Sequence, residues 1–212
     1  MRKSGEGTTF AIPSVVRMST RQHGFSIVEL LVVLAIFGVV AALALPSTSV
    51  TVADLRLRGD ARGVHQSIGL AKMRAAARFT RVRLYVDRST DSYHLQYWDK
   101  AAGDWANEVD PTVDLQEGVD FGFGGLTAAP PNTQTAIAMS PACKTKTGTD
   151  IANTSCVVFN SRGIPIDGSG NITGESGLYV TDGVGTYGVT LSATPLVRLW
   201  WTRADEAQWV QR

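Results

Sequence analysis

Between Phe25 and Leu45 the chain runs for 21 residues with a single charge, Glu29. As a helix rising about 1.5 Å per residue, such a run is about 30 Å long, the thickness of a bilayer's hydrocarbon core. Beyond Pro46 the pattern becomes one apolar stripe: Leu57, Ala61, Val64, Ile68, Ala71, Ala75 and Phe79 recur at steps of three or four. That is the spacing of an amphipathic helix, whose apolar face needs a cover such as a sheet. Arg56, Arg58, Arg62, Lys72, Arg74 and Arg78 fall largely off the stripe. Gly59, Gly63 and Gly69 each weaken a helix by up to about 1 kcal/mol relative to alanine, which predicts fraying or bending near 59–63.

The period then drops to two. Val82, Leu84 and Val86 alternate with Arg81, Arg83 and Tyr85, and after the polar turn at residues 88–91 a second apolar segment occupies 93–98. The pair reads as an antiparallel hairpin. Further strand candidates lie at 118–123, 135–139, 156–160, 177–181, 187–192 and 197–202, separated by Gly, Pro, Asn and Asp. A run of helix followed by a run of strands predicts an α+β fold, with the amphipathic half of a long N-terminal helix packed on antiparallel sheet. The expected organisation is a membrane-spanning helix at 25–46, a stem helix at 47–80 and a mainly β head at 81–212, with residues 1–24 ahead of them.

Charge divides the same way. Residues 54–88 hold nine Arg or Lys against three Asp, whereas residues 89–212 hold seven against fourteen acids, so a formal charge of +1 conceals a basic stem and an acidic head. Arg17 and Arg21 precede the apolar run, so the positive-inside tendency would hold the N-terminus in the cytoplasm and send the head outside. In an oxidising compartment the only two cysteines, Cys143 and Cys156, would suit one disulfide, two free thiols being the alternative. An ordinary secretory signal is the simpler reading of the apolar run, and Ala42-Leu43-Ala44 offers a cleavage pattern. It leaves Glu29 unexplained, because an intramembrane carboxylate costs several kcal/mol unless it finds a partner.

Candidate chemistry is sparse. His23, His65 and His94 are scattered, and no H-E-x-x-H, G-x-S-x-G or phosphate-loop pattern occurs. No catalytic group, metal or cofactor is expected. Residues 167–171, Asp-Gly-Ser-Gly-Asn, alternate oxygen-bearing side chains as a calcium loop does, but the twelfth position is Leu178 rather than an acid. A Gly-rich hairpin turn fits better.

Gly24 followed by Phe25, Glu29 five residues after the glycine, the apolar run and Pro46 resemble the N-terminus of type IV prepilins and type II secretion pseudopilins. The resemblance implies cleavage between Gly24 and Phe25 by a prepilin peptidase and methylation of the new amine on Phe25. Glu29 would then pair with the N-terminal amine of a neighbouring subunit as helices bundle into a filament. A start at Met18 would give the short basic leader common in that family.

The head segments "LAKMRAAARFTRVRLYVD", "LQEGVDFGF", "CVVFNSRGIPID" and "VTLSATPLVRLWW" are similar to minor pseudopilins of the GspH/FimT kind. This implies a non-enzymatic subunit, anchored in a bacterial inner membrane with its head in the periplasm, that joins other pilins or pseudopilins at or near the tip of a type II secretion pseudopilus. The alternative is a minor type IV pilin of the FimT kind, acting in pilus assembly or DNA uptake. For DNA the candidate contacts are Arg74, Arg78, Arg81, Arg83 and Arg88, with Arg198 alone left of the C-terminal basic stretch found in DNA-binding members. Trp200, Trp201 and Trp209 could stack on bases, although tryptophans beside a last strand more often cover the core.

Overall fold

The computed structural model describes residues 24–206 and 208–212, with side chains at 42–50 excepted. Residues 1–23 of the expected leader, including Met18, Arg17, Arg21 and His23, lie outside the described residues, as do the side chains of Ala42, Leu43, Ala44 and Pro46. The chain divides into two compact units, residues 1–45 and 46–212.

Helix α1 is Ile27–Arg78. In the first unit every described side chain from Phe25 to Ala41 is exposed, the large apolar ones included. An exposed apolar surface of that size marks a place of interaction. Among the described residues no helix is long and apolar enough to cross a membrane; the apolar run of the sequence continues to Leu45, past the last described side chain.

In the second unit the expected stripe is the core face of the helix. Leu57, Ala61, Val64, Ile68, Ala71 and Ala75 are all buried. The last member is a correction: Phe79 lies 74% exposed. The helix stops one residue earlier, where the Phe79 amide donates to the Ala76 carbonyl and the Thr80 amide to the Ala75 carbonyl. That is a Schellman cap with Phe79 in its left-handed position at φ 52°. Glycine usually occupies this position because a Cβ there costs about 1–2 kcal/mol. Phe79→Gly is therefore expected to raise the urea midpoint by an amount equivalent to about 1 kcal/mol.

Of the fraying or bending expected near 59–63, the fraying does not occur, since α1 continues through these residues. A Cβ on Gly63 would lie 2.7 Å from Tyr93 Oη, so this glycine admits a tyrosine from the sheet.

Strands β1 (Val82–Asp87) and β2 (Ser92–Asp99) form the expected hairpin, in register Val82↔Tyr97 through Asp87↔Ser92. With β3 (Asp104–Asn107), β6 (Thr154–Phe159) and β7 (Pro165–Ile166) they make an antiparallel sheet ordered β3-β2-β1-β6-β7, to which β4 (Val113–Asp114) adds beside β2. A second sheet has the order β11-β10-β9-β8-β5, from β5 (Asp120–Phe121), β8 (Ser176–Thr181), β9 (Gly185–Leu191), β10 (Val197–Arg203) and β11 (Val210–Gln211). Val82, Leu84 and Val86 from the first sheet join Leu178, Val180 and Val189 from the second and the helix stripe in one core. The fold is thus α+β, an N-terminal helix packed on antiparallel sheets.

Two expected strands change. Residues 118–123 reduce to the two-residue β5. Residues 135–139 form no strand, because the Gln134 side-chain amide donates to the carbonyls of Ala138 and Glu175 and takes the place of a ladder. Short strands β3, β4, β7 and β11 were not expected; each has two to four residues, too few to show a period.

Candidate functional site

At the N-terminus of α1, Ser26 Oγ accepts from the Val28 amide at 3.3 Å and the Ser26 carbonyl accepts from the Leu30 amide at 3.1 Å. Ser26 is therefore the cap and Glu29 the third helical residue, the spacing of a capping box. An acid in this first turn is also favoured by the positive end of the helix dipole. Sequence reading passed over this local role of Glu29, although Ser-x-x-Glu is its signature. The Glu29 side chain is exposed, four residues along from Phe25, and Gly24 has no atom within 4 Å of where a Cβ would stand.

In the head, Cys143 and Cys156 are joined with an S–S distance of 2.02 Å. Cys156 lies on β6, and the bridge is braced by the Ile151 amide on the Cys143 carbonyl and the Cys156 amide on the Pro141 carbonyl. Closing a loop of this length should stabilise the head by about 3 kcal/mol, chiefly by restricting the unfolded chain. A Cys143→Ser/Cys156→Ser variant is expected to lose about that much in urea titration, while the wild type shows no free thiol when denatured without reductant.

The basic residues divide into three environments. Arg74 Nη1 stands 3.1 Å from Glu108 Oε2 and 2.6 Å from Asp110 Oδ2, and Arg78 Nη2 is 2.7 Å from the same Glu108 oxygen. The Glu108 side chain is only 1% exposed, so it is a buried acid held by two cations. Arg81 is exposed, its guanidinium 4.5 Å above the Trp98 ring. Arg83 is 3% exposed. It donates from Nε to Gln96 Oε1 and from Nη1 to the Lys144 carbonyl, both at 2.7 Å, and lies 4.0 Å over the Trp105 ring. Burial pushes its pKa down to about 10, which still leaves it charged at neutral pH.

This corrects the candidate DNA set. Arg83 is buried, with its guanidinium spent on Gln96 and the Lys144 carbonyl rather than spread on an open surface, and Arg74 and Arg78 are already ion-paired. Arg88 is exposed in the turn after β1, and Arg198 is half-buried on β10 of the second sheet. The tryptophans likewise serve the fold: Trp200 is buried with Nε1 donating to Thr190 Oγ1 at 2.8 Å, and Trp209 Nε1 donates to the Ala128 carbonyl at 2.9 Å. In the loop at 167–171, Asp167 Oδ1 accepts from the Ser169 and Asn171 amides. Its oxygens close a turn. Among the described residues no three metal-ligating side chains come together.

Residues 19–45 match the prokaryotic N-terminal methylation motif, a stretch that includes the first residues of α1. Two solved structures of the minor pseudopilin EpsH from the type II secretion system of Vibrio cholerae are similar to this chain. One is 14% identical, with a TM-score of 0.43 over 71% of this chain and 99% of that one. The other is 14% identical, with a TM-score of 0.41 over 68% and 92%. Among curated proteins nothing matches the chain.

Proposed function

We propose that this chain is a minor pseudopilin of a type II secretion pseudopilus, a non-catalytic subunit held in the inner membrane by residues 25–46 until it is processed and assembled at or near the filament tip. The observation that carries the reading is the methylation motif over residues 19–45, running into a helix whose described side chains as far as Ala41 are apolar, with the one exception of Glu29 among the large ones, and uncovered. Such a helix needs lipid before assembly and neighbouring helices after it. Its partners are other pseudopilins, the prepilin peptidase and the inner membrane, with the disulfide-bonded head in the periplasm. Shearing or crosslinking the filament from cells with an intact prepilin peptidase should recover the chain beside other subunits. Recovery only as a monomer from the soluble periplasm would overturn the reading.

The second reading, a minor type IV pilin that takes up DNA, would rest on the exposed Arg81 and Arg88. Neutralisation of Arg74 and Arg78 and burial of Arg83 weaken it, because DNA affinity grows with the number of phosphates neutralised and a single contact contributes little. Duplex DNA is therefore expected to bind this chain only weakly, with a shallow dependence on salt and a less than threefold change in Arg81→Gln/Arg88→Gln. Tight, steeply salt-dependent binding lost in that variant would instead promote the DNA-uptake pilin.

A further inference from the structure

We propose that the head has a binding site for an organic carboxylate with a flat apolar body, in the cavity between the outer face of β1–β2 and residues 134–148. The inference goes beyond filament assembly and does not depend on it. The cavity has a volume of about 440 Å³, within the range of sites that enclose small ligands. Trp98 and Trp105 line it, edge to face with ring centroids 5.5 Å apart. Arg81 and Arg83 also line it, their guanidinium groups already resting on these indoles. The arrangement pairs apolar faces with planar donors.

Charge identifies the missing partner. Of the four cations lining the cavity, Lys144 has Asp150 at 2.6 Å and Lys146 has Asp104 at 3.1 Å. Among the described residues no ion pair within 4 Å is formed by Arg81 or Arg83. Arg83 is buried with only the neutral acceptors Gln96 and Lys144 carbonyl, and Asp104, whose charge acts on it, is already committed to Lys146. The lining acids are Asp167 and Glu175, and Asp167 is occupied in its own turn. With Asp104 and Asp150 on the lysines and Asp167 and Glu175 in the lining, the charges balance in number, yet none of these carboxylates stands within 4 Å of either arginine, so the two guanidinium groups are the cations of the cavity without an ionic partner among the described residues.

A guanidinium fork matches a carboxylate through two parallel hydrogen bonds, and one that is already stacked loses little freedom on binding. A carboxylate fits better than a phosphodiester strand. Arg74 and Arg78, which would extend a basic track beyond the cavity, are neutralised by Glu108 and Asp110, so the unpaired guanidinium groups are confined to the cavity and suit a terminal group. That group could belong to a free aryl acid or to the last residue of a polypeptide.

The test is calorimetric titration of the full-length chain in detergent with N-acetylphenylalanine, N-acetylphenylalaninamide, the tripeptide Ala-Ala-Phe with a free C-terminus, and a single-stranded oligonucleotide. The acid is expected to bind at least tenfold more tightly than the amide. Arg81→Gln, at an exposed position, should weaken the acid at least tenfold and leave the amide nearly unchanged, and Ala138→Trp, on the exposed lining, should remove both; circular dichroism checks that each variant is folded. Tighter binding of the tripeptide than of the acetylated residue would assign the site to a chain terminus, and equal binding to a free acid. Equal affinities for acid and amide, indifference to Arg81→Gln, absence of binding at millimolar concentrations, or binding of the oligonucleotide alone would each overturn the proposal.

Discussion

Glu29→Ala is expected to leave membrane insertion intact and to reduce incorporation into the filament at least tenfold. Removing an intramembrane carboxylate favours insertion, since that charge is among the costlier ones to bury. The effect on assembly follows if the carboxylate is satisfied by the amine of a neighbouring Phe25, because breaking a buried charge pair leaves the other charge uncompensated, at a cost of about 3–5 kcal/mol. The structure supplies a rival explanation, for Ser26 caps α1 and Glu29 stands at the third helical position. Glu29→Gln separates the two. Glutamine serves in a capping box as glutamate does, whereas it cannot neutralise an ammonium. Quantifying the variant in sheared filaments against its membrane-bound pool should show Glu29→Gln failing as badly as Glu29→Ala. Rescue by glutamine would mean that the residue matters for the helix end and that the intersubunit pair is wrong.

The second large effect is expected at Gly24. In a cell with a prepilin peptidase, intact-mass analysis of the purified chain should find Phe25 at the N-terminus carrying one methyl group, and Gly24→Trp should leave the precursor almost wholly uncleaved. Among the described residues nothing beyond the neighbours in sequence lies within 4 Å of the position a Cβ would take at residue 24, so the tryptophan meets no packed group there and the loss is expected to arise at the peptidase. Without cleavage there is no amine at Phe25 for Glu29 to meet. Gly24→Trp and Glu29→Ala should then be no worse together than either alone in filament incorporation, the behaviour of residues that act as one unit. A mature terminus at Leu45 would show that an ordinary signal peptidase had acted, and would remove the filament reading with it.

Local order in the chain explains which expectations survived. The stripe from Leu57 to Ala75 and the alternation of Val82, Leu84 and Val86 repeat often enough to define a face, and a face must be buried wherever it lies. Phe79 continued the arithmetic of the stripe but fell beyond the helix end, a boundary set by the backbone bonds of Phe79 and Thr80 rather than by hydrophobicity. Residues 135–139 resemble a strand in composition, yet the Gln134 side chain takes backbone positions that a ladder would use. Only an assembled fold brings Gln134 beside Glu175.

The site divides along the same line. Sequence alone determined the α+β order, the methylation motif with Gly24, Phe25 and Glu29 at fixed spacing, and the two cysteines available for a bridge, because each depends on neighbours along the chain. Tertiary structure decided the fate of the arginines. Five of them looked alike as a basic series, but β1 turns Arg83 toward the covered outer face, while the segment after β3 brings Glu108 and Asp110 to Arg74 and Arg78. Whether a guanidinium is free, paired or buried depends on groups contributed by other strands and loops, and that separation leaves no periodic trace for a sequence to carry.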